Sequence, residues 1–284
     1  MHIYFTIFFF VFGTIIGSFL NVVLYRFNTG KTLMGRSRCF SCRRNLSPID
    51  LVPVLSYISF GGKCRTCKSR ISIQYPLVEL ATGILFAGSY MLFSPVLEAS
   101  PTMFLIQFVY TLIIMSLLVL ITVYDMRHKI IPDMFVFTFI GLSFSTLFLG
   151  FDSFGNILFR IPDLLQLASG FILAFPFYFL WLISDGRWMG FGDAKLAVGF
   201  GWFLGLSSGA TAIVLGFWIG AAVSLLLLGM GYLSKQYAHK KVLGMKVPHL
   251  SLKSEVPFAP FLIAGLLIVF FFRYNLFESF AYLI

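Results

Sequence analysis

The chain has 284 residues, of which 59% are hydrophobic, only 11% are charged and 36 are phenylalanine. Average soluble domains carry roughly a quarter charged residues, so an ordinary soluble enzyme is excluded and a polytopic membrane protein is expected. The formal net charge of +10 raises a nucleic-acid partner as a question, which the placement of that charge answers below.

The apolar run from Ile3 to Tyr25 opens the chain. No Lys or Arg precedes it, no small-residue cleavage site follows it, and Arg26 leads into a basic loop. That is the wrong polarity for a removable leader, so the segment is expected to stay as the first transmembrane helix. Seven more helices are predicted, at Tyr75–Phe93, Met103–Tyr124, Pro132–Gly150, Leu164–Ser184, Gly192–Leu206, Ala210–Leu233 and Phe258–Tyr274. The expected fold is therefore an all-α helix bundle of about eight spans with one small soluble insertion, residues 27–74. Gly201, Gly205 and Gly209 recur at four-residue spacing and are expected to line one helix face as a packing surface.

With the N-terminus outside, every strongly basic loop falls inside. Nineteen of the 21 Lys and Arg residues then lie on the cytoplasmic side, and only Arg160 and Arg273 do not. The positive-inside rule accounts for the net charge, so the lipid bilayer is the expected partner and nucleic acid is not.

All four cysteines occur in the insertion, as Cys39-Phe-Ser-Cys42 and Cys64-Arg-Thr-Cys67, with 21 residues between the pairs. Two such pairs read as a structural four-thiolate zinc site, because a tight turn within each pair aims both sulfurs at one metal. Disulfides are the alternative, and they require an oxidising compartment. Four thiolates leave no open coordination position, so the metal is expected to hold the loop together.

Two acids stand at the same predicted membrane edge. Asp125 directly follows an apolar run, and Asp193 lies in Met189-Gly-Phe-Gly-Asp-Ala-Lys195. Taken singly, Asp125 reads as an interfacial anchor and Asp193 as a helix cap. Taken together, two carboxylates brought close cannot both ionise, which makes one an acid and the other a base. Gly190 and Gly192, lacking side chains, are expected to let a substrate backbone approach Asp193, with Lys195 in support. Asp133, after Pro132, looks like an N-cap. Glu79, one turn inside the second helix, needs either a partner, such as Arg or Lys from the cysteine loop, or a chemical role.

These motifs resemble the bifunctional type IV prepilin peptidases, the leader peptidase/N-methyltransferases. The resemblance runs through Gly17-Ser-Phe-Leu-Asn-Val-Val-Leu-Tyr-Arg26, both cysteine pairs, Leu55-Ser-Tyr57, Gly61-Gly-Lys-Cys64 and Tyr75-Pro-Leu-Val-Glu-Leu80. It continues through Asp125, Ile131-Pro-Asp133 and Gly190-Phe-Gly-Asp-Ala-Lys-Leu196. It implies an aspartyl peptidase of the G-x-G-D kind in the bacterial cytoplasmic membrane, with Asp125 and Asp193 catalytic and facing the cytoplasm. Its substrates would be prepilins and pseudopilins, cut after the glycine that ends a short basic leader. Residues 101–284 would form the peptidase region. Residues 1–100, with the zinc loop, would methylate the new N-terminus using S-adenosylmethionine, and Gly61, Gly62 and Glu79 match positions assigned to that activity. Phe40 and Ala259 depart from the family pattern, and neither is expected to touch the aspartates. A proton- or cation-coupled transporter, a non-catalytic scaffold and a peptidase without methyltransferase activity are the competing readings.

Overall fold

The computed structural model describes residues 2–30, 32, 35–151, 157–159, 161–236 and 256–277. The basic residues Lys31, Arg160, Lys240, Lys241, Lys246 and Lys253 lie outside the described residues. Among the described residues, eight helices of 14 residues or more stand near the eight predicted positions: α1 (His2–Arg26), α3 (Gln74–Ala99), α4 (Pro101–His128), α5 (Asp133–Thr146), α6 (Leu164–Ser184), α7 (Phe191–Leu204), α8 (Leu206–Gln236) and α9 (Ala259–Phe272). A short α2 (Leu55–Ser59) lies in the insertion, and a small antiparallel hairpin pairs β1 (Leu149–Phe151) with β2 (Ile157–Phe159).

Five of these helices, α1, α3, α4, α6 and α8, are long and apolar enough to cross a bilayer. Three others, α5, α7 and α9, have 14 residues each. At 1.5 Å per residue they reach about 21 Å, short of a hydrocarbon core of ~30 Å. The N-termini of these short helices border the acidic site described below, where Pro132 and Ala259 are buried while Asp133 and Phe191 are exposed.

The chain divides into two compact units. One comprises residues 1–123 with the hairpin at 149–159, and the other residues 124–148 and 160–284. In the first, α1 and α3 form an antiparallel pair. His2 and Glu98 meet at one end of it, 3.4 Å apart, and the cysteine insertion joins the helices at the other. The pair packs closely because Gly17 faces the backbone of α3: a Cβ there would lie 2.7 Å from Glu79 Cα. Phe86, Tyr90, Phe104, Phe108 and Leu112 form an aromatic-rich core between α3 and α4.

In the second unit, α7 is enclosed by α5, α6 and α8. Gly201 sits against α6 so tightly that a Cβ would lie 2.6 Å from Gly170 Cα. The glycine face expected at positions 201, 205 and 209 is not continuous. Gly205 takes φ +83° and ends α7, and Gly209 belongs to α8. A positive φ is readily available to glycine, so this residue breaks the helix that the spacing alone would extend.

Candidate active site and metal centre

The C-terminal end of α4 and the N-termini of α5, α7 and α9 gather at one end of the second unit. Asp125, three residues before the end of α4, is 5% exposed, and Asp193, in the first turn of α7, is 8% exposed. The two carboxyl groups lie within each other's electrostatic reach. Asp193 is not the cap of α7: Gly190 holds that position. The Asp193 carboxylate is three residues further on and takes up the Gly190 amide, the backward half of a capping box. Asp125 Oδ2 accepts the backbone N–H of Ala259 at 3.2 Å. That amide opens α9 and has no partner within its own helix. The expectation that Ala259 stands clear of the aspartates is therefore overturned. Nothing local marks this contact, because any non-proline residue would carry the same donor.

Helix N-termini carry partial positive charge and favour carboxylates. Two such ends face the acids, which offsets part of the cost of holding a carboxylate away from water, ~2.5–3.5 kcal/mol even on lenient membrane scales. A carboxylate beside a protonated partner can take a proton from water and deliver one to a carbonyl oxygen or leaving amine.

The neighbouring residues divide. Among the described residues, only Asp193 Oδ2, at 3.6 Å, and the Gly192 amide nitrogen, at 4.0 Å, come within 4 Å of a Cβ placed on Gly190, so this face is open. Gly192 is filled instead: a Cβ there would meet Ile131 at 3.0 Å. Lys195 Nζ pairs with Asp133 Oδ1 at 2.6 Å. Asp133 is the first residue of α5 and Pro132 its N-cap, so Asp133 is an ion-pair partner where a cap was expected.

The cysteine insertion is built as two matching turns. The Cys39 N–H donates to Arg44 O and the Arg43 N–H to Cys39 O; the Cys64 N–H donates to Ser69 O and the Lys68 N–H to Cys64 O. Arg43 and Lys68, at equivalent places, both adopt positive φ, +56° and +57°. Isolated bridges close each turn, Arg38 with Asn45 and Lys63 with Arg70. Arg44 ties the halves together by donating to Thr66 and to Asp50. The Ser47 amide and hydroxyl and the Arg44 guanidinium hold the Asp50 carboxyl below its usual range.

One sulfur from each cysteine lies within 4.8 Å of the others, and Cys39 and Cys67 Sγ are 3.7 Å apart. Thiolates ~2.3 Å from a tetrahedral zinc have S···S edges of about 3.8 Å, so this donor set fits zinc. The amides of Cys42 and Ser41 lower the Cys39 thiol to about 6. The Arg44 amide also favours the Cys42 thiolate, but desolvation and the crowding of Cys39, Cys67 and Cys64 prevail and push Cys42 up to about 11. A bound dication would supply the charge that lets all four ionise.

Glu79 is 7% exposed, and its Oε2 accepts the N–H of Val54 at 2.8 Å. Among the described residues its partners are this backbone amide and the Ser18 hydroxyl, in place of Arg or Lys, one of the two expectations for this residue. Val54 takes φ +60°, rare for a β-branched residue, and is the N-cap of α2. One turn on, the Tyr57 ring fills the space beside Gly62, where a Cβ would lie 2.8 Å from it, while Gly61 is open. Both glycines have positive φ. Glu79 and Gly62 therefore flank a single turn of α2.

A family model described as the bacterial peptidase A24 N-terminal domain matches residues 11–93, and one described as the type IV leader peptidase family matches residues 112–225. The chain is 30% identical over 263 residues to a prepilin leader peptidase/N-methyltransferase of Bacillus subtilis (strain 168), covering 92% of both chains. It is 27% identical over 285 residues to one from Aeromonas hydrophila, covering 90% of this chain and 87% of the relative. No solved structure matches.

Proposed function

Because the chain belongs to the type IV leader peptidase family, we propose that Asp125 and Asp193 form its catalytic pair and remove the basic leader of prepilins and pseudopilins after its terminal glycine. The observation that carries this reading is the burial of both carboxylates, in mutual electrostatic reach, where the N-termini of α7 and α9 converge. One aspartate, ionised, takes a proton from water as the oxygen attacks the scissile carbonyl. The other, protonated, gives its proton to the carbonyl oxygen, and the C–N bond then breaks with a proton passing to the departing amine. Gly190, whose face is open, is where an extended substrate backbone approaches.

The cleavage site faces the cytoplasm in this reading. What supports this is the sequence: the basic residues Arg127, Lys129 and Arg187 lie in the loops next to Asp125 and Asp193, as the positive-inside rule expects of cytoplasmic loops. Cys39, Cys42, Cys64 and Cys67 hold zinc, and the metal fixes the insertion. The region of residues 1–100 methylates the new N-terminus, with S-adenosylmethionine supplying the methyl group. Glu79 orients the turn of α2 that carries Tyr57 and, through it, Gly62, while Gly61 presents an open backbone face.

The test is co-expression with a prepilin, read by intact mass. Asp125→Asn and Asp193→Asn are each expected to leave the precursor uncut while still inserting in the membrane. Normal cleavage by either variant would refute the assignment. A mature pilin that is cleaved but lacks the added methyl group would reduce the protein to a peptidase alone.

A further inference from the structure

The pair of aspartates needs a fixed separation, yet they sit on different helices joined by a long stretch of chain. Two contacts close a short path between them. Ile131 seats on Gly192, with a Cβ at that glycine 3.0 Å from Ile131 Cβ. Lys195 Nζ reaches Asp133 Oδ1 at 2.6 Å; the lysine side chain is 18% exposed and the aspartate side chain 67%. The ammonium also lies 5.0 Å from the ring centroids of Phe137 on α5 and Phe191 on α7. It is therefore occupied by one carboxylate and two aromatic faces, and a substrate group would have to displace one of them. Asp133 lies eight residues after Asp125, across a bend at Lys129 with φ +55°, and Lys195 lies two residues after Asp193. The ion pair thus closes a short path between the two aspartates, from Asp125 to Asp133, across to Lys195 and back to Asp193.

We propose that the Lys195–Asp133 pair, with Ile131 seated on Gly192, is the clamp that sets the spacing of Asp125 and Asp193, so that Lys195 is a positioning residue and not a contact for substrate. The proposal rests on the peptidase reading above. A displacement of about 1 Å between reacting groups costs on the order of a hundredfold in rate, so loss of the clamp acts on turnover. Because Lys195 is spent on Asp133 and makes no contact with substrate, substrate affinity changes little.

The full-length protein in lipid vesicles is compared with Lys195→Met, Asp133→Asn, the double variant and Lys195→Arg, using a synthetic prepilin. Lys195→Met is expected to lower kcat by about 10- to 100-fold with KM within about threefold. Lys195→Arg, which keeps the charge, should recover most of that loss. The double variant should lose no more than the worse single one, since both substitutions break one interaction. A raised KM with kcat retained in Lys195→Met would make Lys195 a substrate contact and overturn the clamp, and so would an unchanged kcat. Hydrogen exchange without substrate gives the second readout. The first-turn amides of α7 should exchange faster in Lys195→Met and at the normal rate in Lys195→Arg, and unchanged exchange in Lys195→Met also overturns the clamp. A wild-type protein that fails to cleave would sink the peptidase reading instead, with the exchange result still deciding the clamp.

Discussion

Asp125 Oδ2 and the amide of Ala259 are hydrogen-bonded at 3.2 Å across 134 positions of sequence, with both residues buried. The contact makes the first turn of α9 part of the acidic site, since the orphan amide of a helix start is spent on one oxygen of the Asp125 carboxylate.

Ala259 has no exposed surface. Ala259→Gly keeps the amide and should retain cleavage within a few-fold. Ala259→Leu must displace its surroundings, with an overpacking cost of about 1–3 kcal/mol, and should reduce cleavage at least about tenfold by moving the donor. Rates measured on one prepilin compare the two, and an active Ala259→Leu enzyme would show that the contact is dispensable.

Gly201→Ala should destabilise the second unit. The added methyl would lie 2.6 Å from Gly170 Cα and N and from the Ser169 carbonyl carbon, all of them backbone atoms that cannot rotate away. A loss of about 1–3 kcal/mol is expected, read as a lower Tm in detergent, with cleavage falling only as the folded fraction falls.

Metal binding to the cysteine cluster should depend on pH with a defined sign. At neutral pH Cys42, pushed up to about 11, enters as a thiol and must release its proton. Affinity should therefore tighten by at least about tenfold per pH unit as pH rises. Below about 6, where Cys39 also gains a proton, the slope should steepen. Competition titrations with a colorimetric chelator measure both slopes, and a flat profile would count against a thiolate site. Stripping the metal should open residues 35–73 to protease while the helices stay protected.

Glu79→Ala leaves the Val54 amide without its acceptor and frees the start of α2. Methylation should be lost and leader removal retained, seen by intact mass as a cleaved pilin without its methyl group. Loss of both activities would place Glu79 in the general stability of the α1–α3 pair.

The positions of the helices were legible because a run of apolar residues reports its own preference for lipid, whatever lies around it. The cysteine turns were legible for a similar reason, since two ligands three residues apart fold toward one metal locally. Asp125 and Asp193 stood out as acids at the ends of apolar runs. The partners of Glu79 and Lys195 were not legible. Glu79 takes a backbone amide, a donor that almost every residue carries, and Lys195 finds its carboxylate 62 positions away. The glycine spacing at 201, 205 and 209 misled because periodicity says nothing about a residue that turns to positive φ and ends the helix.

Composition and local spacing by themselves determined that this chain spans a membrane, where its helices run and that its cysteines form one cluster, since each of these follows from short-range chemistry. Only the tertiary structure decided which helix start serves Asp125, what occupies Lys195 and which glycine beside Asp193 is open. Those outcomes depend on backbone donors and packing distances between segments far apart in the chain, and residue identity does not encode them locally.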